Sequence, residues 1–245
     1  MRSAGLPLVS CICPTYKRPQ QLRNALACFL AQDYPESRCE LIILDDAGQF
    51  PEQSGANWRL ISTRRRFDNL PRKFNALLKE CRGDIVAVWE DDDVFLPWHL
   101  RDVVHCYQGE SADIYLPRSV WTNYHHDSGE LVIEEPAGRF HSSWRFTRRI
   151  VEAVGGYPES SRLDFDQELG GLLRQAGEAA SYGEQEHPSY VYRWGSAAWN
   201  ASQGGNNTAF QKLWNELGQL PAQPQSGLVA GFDEETFNIY CQFDV

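Results

Sequence analysis

The sequence predicts an α/β fold with a mostly parallel sheet flanked by helices. Three short runs, Leu8–Cys13, Leu41–Leu44 and Ile85–Trp89, are apolar at nearly every position, which is typical of strands buried on both faces. Segments with helical periodicity separate these runs. Strands that alternate with helices favour right-handed crossovers and parallel pairing.

The elements of the first half follow this alternation in order. Helices are predicted over Pro19–Gln32, from Pro71 to a stop at Gly83, and from Pro97 onwards. Each begins at a proline and repeats apolar residues at helical spacing. A weaker strand, Trp58–Ile61, precedes the second of these helices.

After about residue 110 the pattern becomes less regular, and a smaller mixed sheet is expected. Strand-like segments lie near 112–116, 119–125, 130–134 and 190–194. A helix is predicted to begin at Asp164 as its cap, with Gln167 three residues on, and to stop at Gly177. Its predicted apolar stripe consists of Phe165, Leu169, Leu172, Leu173 and Ala176. A short helix is predicted over Phe210–Leu217.

Composition excludes several classes of protein. The formal net charge of −10 argues against general nucleic-acid binding, which depends on Lys and Arg neutralising phosphates. The basic run Arg64–Arg66 is local, and is either a site for one anionic ligand or a solvated loop. No apolar run has transmembrane length and no signal-peptide core is present, so a cytoplasmic protein is expected, with peripheral membrane contact left open. The seven cysteines lack metal-type spacing, which predicts reduced thiols and no zinc site.

Four consecutive acids, Glu90 to Asp93, follow the most apolar strand. Ligands of parallel sheets bind just beyond the carboxyl ends of the strands, where these acids lie. In an extended chain, Glu90 and Asp92 would share one side and Asp91 and Asp93 the other. Hard oxygen ligands of this kind suit Mg²⁺ or Mn²⁺ shared with a substrate phosphate. The alternative is a solvated acidic turn that caps the next helix.

Five short motifs follow one another between about residues 8 and 193. In chain order they are Cys13–Tyr16 with Arg18, Leu44–Asp46, Lys73–Asn75, Glu90–Pro97, and Gly155–Tyr157 with the helix from Asp164. Their order resembles that of the family-2 glycosyltransferases, whose corresponding motifs are "P-T-Y-N-R", "V-D-D", a basic residue before Asn, the metal-binding DXD with its proline, and "G-G-Y … E-D … G".

The resemblance implies a GT-A fold, which is Rossmann-like. Residues 1–110 would form the nucleotide-sugar-binding half, 111–205 the acceptor-binding half of the same domain, and 206–245 a C-terminal helix and tail. The implied activity is that of an inverting, metal-dependent hexosyltransferase with Mn²⁺ or Mg²⁺. It would move a sugar from a nucleotide-diphosphate donor, a UDP-sugar, to a hydroxyl of a glycan or lipid-linked saccharide. Oligomeric state is left open.

The resemblance also assigns the donor site residue by residue. Tyr16 would stack on the base with the backbone near Pro14, and Asp46 would accept hydrogen bonds from the base ring. Lys73 would approach the base or the phosphates, and Asp91 would hold the ribose. From the residues alone, Tyr16 is a packed turn aromatic, Asp46 a loop cap and Lys73 a solvent-facing helix charge.

Catalysis and acceptor binding are assigned in the same way. Asp92 would bind the metal, Asp166 would be the catalytic base, and His141 and Trp144 would lie at the acceptor wall. From the residues alone, Asp166 is an ordinary charge in the first turn of a helix.

Two departures from the family pattern affect these assignments. Phe165 stands where the family has Glu, which leaves Asp164 and Glu168 as rivals to Asp166. Glu90 replaces the first Asp of DXD but keeps a carboxylate. The Phe165 departure favours an alternative, a non-catalytic GT-A-like module that binds a nucleotide or a partner. A sugar nucleotidyltransferase is a weaker alternative, because the first strand is not followed by a Gly-rich phosphate loop.

Overall fold

A computed structural model describes residues 5–122, 132–159 and 164–192 of the chain. The helix predicted over Phe210–Leu217, and the whole of the predicted segment 206–245, lie outside these residues. The strands, in chain order, are β1 (Val9–Thr15), β2 (Cys39–Asp45), β3 (Gln53–Ser54), β4 (Trp58–Ser62), β5 (Ile85–Val88), β6 (Val94–Phe95), β7 (Ile114–Pro117), β8 (Val120–Thr122), β9 (Val132–Glu134), β10 (Arg145–Thr147), β11 (Ala179–Tyr182) and β12 (Tyr190–Tyr192). The α-helices are α1 (Pro19–Leu30), α2 (Leu70–Glu80), α3 (His99–Gly109), α4 (Arg148–Ala153) and α5 (Phe165–Ala176).

The strands form one large and one small sheet. The large sheet has the order β11-β7-β10-β5-β1-β2-β4-β3, and the small sheet has the order β6-β12-β8-β9. In the large sheet β5, β1, β2 and β4 run parallel, while β10 is antiparallel to both of its neighbours. The small sheet mixes both orientations. The predicted α/β class, with a large mostly parallel sheet and a smaller mixed one, is confirmed.

Helices cover both faces of the large sheet. Alternate residues of its central strands point to opposite sides, so each strand contributes side chains to two cores. Val9, Cys11 and Cys13 of β1 pack in a core with α1 and α3, and this core continues into the small sheet. Ile12 of β1 belongs to a second core with α2, α4 and α5. This two-sided burial explains why β1, β2 and β5 are apolar at almost every position.

The helix boundaries follow from local chemistry. The side chain of Asn69 accepts a hydrogen bond from the backbone N–H of Arg72 and so caps α2. The helix therefore begins at Leu70, one residue before the predicted start at Pro71. α2 ends at Glu80, and Gly83 follows where the chain passes close to β1. A Cβ at Gly83 would lie 2.6 Å from the backbone nitrogen of Ser10, so only glycine fits this approach.

The predicted bounds of α5 are confirmed, since Asp164 is its N-cap and Gly177 its C-cap, but the predicted capping interaction and one member of the apolar stripe are wrong. Asp164 occupies the cap position, but its side chain makes no capping hydrogen bond, and Gln167 instead donates to the Asp166 carboxylate at 3.4 Å. Ala176 is exposed, because burial in α5 is limited to Leu169, Gly170 and Leu173 near its middle.

The short elements β3, β6, β10, α4 and β11 were not predicted. They have two to six residues each, which is too short for a periodic pattern. In the described part of the chain, no helix combines the length and the apolar character needed to cross a bilayer.

Candidate functional site

The predicted donor-binding residues meet at one edge of the large sheet. β2, β1 and β5 are adjacent and parallel, so their carboxyl ends lie side by side. Tyr16, Asp46 and the acidic run 90–93 follow these three ends. This is the edge at which open α/β sheets bind their ligands.

The acidic run folds into a compact cluster of carboxylates. Single oxygens of Glu90, Asp92 and Asp93 all lie within 4.8 Å of one another. The prediction that Asp93 faces away from Glu90 and Asp92 is wrong, since the chain turns at Asp91 and Asp92 instead of remaining extended. Asp93 is also held from the small sheet, because the hydroxyl of Tyr190 donates to it at 2.6 Å. We call Glu90, Asp92 and Asp93 the acid cluster.

The acid cluster has the composition of a divalent-cation site. Three carboxylates supply the hard oxygen ligands that Mg²⁺ and Mn²⁺ prefer. Burial raises the pKa of Glu90 to about 8, and the charges of Asp92 and Asp166 add to this effect. Negative charges are therefore crowded here, and a cation among them would relieve the repulsion. The residues present fit such an ion.

Asp91 lies beside the acid cluster and is anchored inside the protein. Its carboxylate accepts hydrogen bonds from the Thr15 hydroxyl at 2.7 Å and from Arg18 Nη1 at 3.0 Å. The same Arg18 nitrogen donates to Asp92 at 2.8 Å. Lys17, with φ of 54°, turns the chain between Tyr16 and Arg18. Contact between Asp91 and a ribose would require it to exchange one of these partners.

Tyr16 stands at the carboxyl end of β1, next to the buried Pro14. Its ring is half-buried, and the guanidinium carbon of Arg66 lies 4.2 Å from the ring centroid. The side chains of Arg64, Arg65 and Arg66 are exposed, as in a solvated loop, yet Arg66 is directed over the tyrosine. A base stacking on this face of Tyr16 would take the place of Arg66 or be sandwiched beneath it.

Lys73 lies inside the protein, so its interpretation as a solvent-facing helix charge is wrong. Its ammonium group donates to the carboxylate of Asp46 and to the carbonyl oxygen of Thr15. Asp46 also accepts a hydrogen bond at 3.0 Å from the backbone N–H of Phe67. The side chains of Lys73 and Asp46 are 5% and 6% exposed. Lys73 therefore fixes the position of Asp46 at the end of β2.

Asp166 is the least exposed of the three acids around the start of α5. Asp164 and Glu168 are exposed, whereas Asp166 is half-buried. The charge of Asp166 acts on Glu90, on His141 and on the hydroxyl of Tyr157. It therefore lies near the acid cluster although it comes from a distant helix.

The ring of Phe165 packs in a cluster of aromatic side chains from other parts of the fold. Its ring centroid lies 6.0 Å from Phe74, 5.7 Å from His141 and 6.0 Å from Tyr157. The departure from the family's Glu at this position therefore supplies packing for the helix that carries Asp166.

His141 and Trp144 do not present ring faces to solvent. His141 Nδ1 lies 3.1 Å from a Glu90 carboxylate oxygen, and Nε2 lies 2.9 Å from the Tyr157 hydroxyl oxygen. Burial lowers the pKa of His141 to about 4. Trp144 is only 1% exposed and packs edge-on against His141. In this arrangement His141 orients Glu90, and the buried ring of Trp144 leaves no face on which a sugar could stack.

Several residues of the site had no individual role in the sequence-based assignment. Glu90 and Asp93 belong to the acidic run predicted to suit a divalent cation, but only Asp92 was assigned individually as a metal ligand. Arg18 appeared only as part of a motif. Tyr157 and Tyr190 carry no local pattern that points to their carboxylate and imidazole partners, which lie far away in the sequence.

The family comparison agrees with this geometry. Residues 10–156 match the family described as glycosyl transferase family 2, a span that includes β1, β2, β5 and the acid cluster and ends before Asp166. A sequence comparison with curated proteins finds no significant match.

Solved structures of similar fold include S. aureus TarS and a mannosyltransferase from Pyrobaculum calidifontis. S. aureus TarS 1–349 in complex with UDP has a TM-score of 0.62 and 14% sequence identity, over 79% of this chain and 62% of that one. The mannosyltransferase PcManGT from Pyrobaculum calidifontis, in complex with GDP-Man and Mn²⁺, has a TM-score of 0.55 and 18% identity, over 86% of this chain and 65% of that one. This chain thus spans less than two thirds of either structure. The likeness confirms the GT-A fold, and since the family match covers more than half of the 245 residues, the chain belongs to glycosyl transferase family 2.

Proposed function

We propose that this protein transfers a sugar, with inversion, from a nucleotide-diphosphate donor to a hydroxyl of a glycan or lipid-linked saccharide. The donor we favour is a UDP-sugar, since S. aureus TarS has been solved with UDP and with UDP-GlcNAc. The observation that carries the proposal is the electrostatic effect of Asp166, which belongs to a separate helix, on Glu90 of the acid cluster at the carboxyl edge of β5. Nucleotide-sugar transfer needs both parts, a site for the leaving diphosphate and a base for the acceptor.

The acid cluster is the proposed metal site, with Asp92 as the predicted ligand and Glu90 and Asp93 beside it. When bound there, Mn²⁺ or Mg²⁺ supplies neutralisation of the charge that grows on the leaving diphosphate. The hydrogen bond between His141 and Glu90 and the one that Tyr190 donates to Asp93 hold two of these carboxylates in place before any ligand arrives.

Asp166 is the proposed general base. It lies in the first turn of α5, and its carboxylate is a group that can accept a proton. In a single displacement, Asp166 takes the proton of the acceptor hydroxyl as its oxygen attacks the anomeric carbon and the bond to the diphosphate breaks. One base on the side opposite the leaving group produces inversion.

The donor nucleotide is proposed to lie along the ends of β1 and β2. Tyr16 offers a ring for the base near Pro14. Asp46, held by Lys73, offers a carboxylate edge to the base ring. Lys73 then acts through Asp46, because its own ammonium group is already bonded to Asp46 and Thr15. Asp91 is proposed for the ribose.

The first experiment measures the thermal shift of the protein with UDP, GDP, dTDP and CDP, each with and without Mn²⁺. A nucleotide at a hundred times its Kd stabilises by about 2.7 kcal/mol, or roughly 5–10 °C in Tm for a chain of this size. We expect a Mn²⁺-dependent shift with UDP that Asp92→Asn abolishes. No shift with any nucleotide would contradict the proposed donor site.

A second measurement separates an enzyme from a non-catalytic nucleotide-binding module. We expect Asp166→Asn to lower the rate of UDP release from a UDP-sugar by about 100-fold or more, while the Kd for UDP stays within twofold. Glu168→Gln, two residues away on the same helix but exposed, is the matched control and should keep the wild-type rate. Tight UDP binding without turnover in the wild type would favour the non-catalytic module.

A further inference from the structure

Arg18 connects the anchored carboxylate of Asp91 with the acid cluster. A single nitrogen, Nη1, lies 3.0 Å from Asp91 and 2.8 Å from Asp92. Asp91 is held on its other oxygen by Thr15, whereas Asp92 belongs to the acid cluster. Of these two carboxylates, Asp91 is fixed by a second hydrogen bond, whereas Asp92 is one that a divalent cation would also use.

The position of Arg18 compensates part of the charge of the acid cluster. The run 90–93 brings four carboxyl groups to one strand end, and Arg18 is in direct contact with two of them. The side chains of Arg18 and Asp92 are each 24% exposed, whereas that of Asp91 is 4% exposed. The contact with Asp92 is thus on the open side of the site, and the contact with Asp91 is on the closed side.

A divalent cation and Arg18 compete for the same carboxylate. A cation within the acid cluster would lie a few ångströms from the guanidinium, and two positive charges at that distance repel each other. Binding of the cation alone must therefore weaken or break the contact between Arg18 and Asp92. A diphosphate beside the cation would offset this repulsion, because its oxygens accept hydrogen bonds from a guanidinium.

We propose that Arg18 is the resident counter-cation of the acid cluster, that a divalent cation displaces it from Asp92, and that the donor diphosphate then receives it. Arg18 stays attached to Asp91 throughout, which keeps the guanidinium at the edge of the site. Cation and donor consequently bind with positive cooperativity, and the gain is reciprocal. This last step rests on the proposed function, whereas the displacement from Asp92 does not.

The test measures the Kd of Mn²⁺ by calorimetry, with and without UDP, for the wild type and Arg18→Met. Both proteins are compared at pH 8, since carboxylates bind metal in the ionised form. We expect Arg18→Met to bind Mn²⁺ alone about three- to tenfold more tightly, since the competing charge is gone. The factor by which UDP improves Mn²⁺ affinity should fall by a similar amount. A purely structural role for Arg18 would leave Mn²⁺ affinity unchanged or weaken it, and either result would overturn the proposal.

Arg82→Met is the matched control. Arg82 also pairs with a buried carboxylate, that of Glu40 near the start of β2, at 2.6 Å. Its loss should leave Mn²⁺ affinity unchanged, and a tightening equal to that of Arg18→Met would overturn the proposal by showing a general charge effect.

A measurement on the wild type does not depend on the folding of any variant. The side-chain NMR signal of Arg18 should shift when Mg²⁺ is added, and that of Arg82 should not. An Arg18 signal that stays unchanged at saturating Mg²⁺ would overturn the displacement. If Mn²⁺ and Mg²⁺ behave as expected but UDP binds no form of the protein, the proposed function fails together with the cooperative step, and the displacement stands.

Discussion

The fold changes the pH range in which the Glu90 carboxyl group ionises. Burial, with the charges of Asp92 and Asp166, raises its pKa to about 8. Between pH 4.5 and 8 the folded protein therefore holds a proton on Glu90 that the unfolded chain has lost. His141 acts in the opposite sense below about pH 6.5, because burial lowers its pKa to about 4 and the unfolded chain then binds the extra proton.

This difference predicts a loss of stability with rising pH in the metal-free protein. The contribution of His141 levels off about one pH unit above its ordinary pKa of 6.5, whereas that of Glu90 falls as the pH rises through about 8, by at most about 1.4 kcal/mol per pH unit. Urea denaturation at about pH 7.5, 8 and 8.5 measures the decline due to Glu90. In Glu90→Gln the decline should be much smaller, and an equal decline in both proteins would contradict the assignment. Added Mg²⁺ should stabilise the wild type more at pH 8 than at pH 6.5.

Lys73 shows how one residue can serve a site without touching its ligand. Its ammonium group is hydrogen-bonded to Asp46 and to the last carbonyl oxygen of β1, and these bonds connect the ends of two neighbouring strands. A buried ion pair of this kind fixes the positions of its side chains more than it stabilises the folded state. Asp46 is thereby held where a base could meet it.

At the scale of elements, the turn after α4 is fastened to α2 by one amide. Asn75 donates to the carbonyl oxygen of Tyr157 at 2.9 Å and accepts from its N–H at 2.7 Å. Gly155 and Gly156 both have positive φ, 83° and 82°, which L side chains adopt with difficulty. The motif around Lys73 and the motif around Tyr157, far apart in sequence, are thus one structural unit, and it places the Tyr157 hydroxyl against His141.

The two glycines provide a matched pair for a mutational test. A Cβ at Gly155 would meet nothing within 4 Å, but a Cβ at Gly156 would lie 2.5 Å from the Asn75 side-chain oxygen. We expect Gly155→Ala to lower the free energy of unfolding by about 1–2 kcal/mol, from φ alone. Gly156→Ala should cost at least about 1 kcal/mol more, because it also disrupts the Asn75 hydrogen bonds. Equal losses in urea denaturation would show that the close approach to Asn75 has no energetic role.

At the scale of the whole molecule, the two predicted halves share the large sheet and both cores. β7, β10 and β11 come from the second half but join the large sheet beside β5. Arg145, on β10, donates to the carbonyl oxygens of Val88, Ser142 and Trp144 and contacts His99 of α3. His99 in turn lies 2.9 Å from the hydroxyl of Ser189, just before β12. One buried chain of polar contacts thus links the large sheet to the small one.

This arrangement predicts cooperative unfolding across residue 110. The slowest amides of β2, from the first half, and of β10, from the second, should exchange hydrogen with the same free energy of opening. Arg145→Met should lower both values together, by at least about 2 kcal/mol, since it removes a buried donor shared by three backbone carbonyls. A lower value for β10 alone, detected by hydrogen-exchange mass spectrometry, would instead identify the halves as separate folding units.

The sequence by itself determined the central strands, most of the helices and the place of the acidic run. These features are local, because burial of β1, β2 and β5 on both faces leaves continuous apolar runs and the helices leave a 3.6-residue period. The family motifs supplied the same order of elements. The edge at which the site lies followed from parallel pairing alone.

Only the tertiary structure decided how the site residues are partnered. Arg18 meets Asp92 from 74 positions away, Lys73 meets Asp46 from 27, His141 meets Glu90 from 51, and Tyr190 meets Asp93 from 97. A local pattern carries no information about such pairs, since they form where separate elements converge at one edge. The turn that brings Asp93 beside Glu90 and Asp92 is of the same kind, because the small sheet holds Asp93 there through Tyr190 and no strand period predicts it.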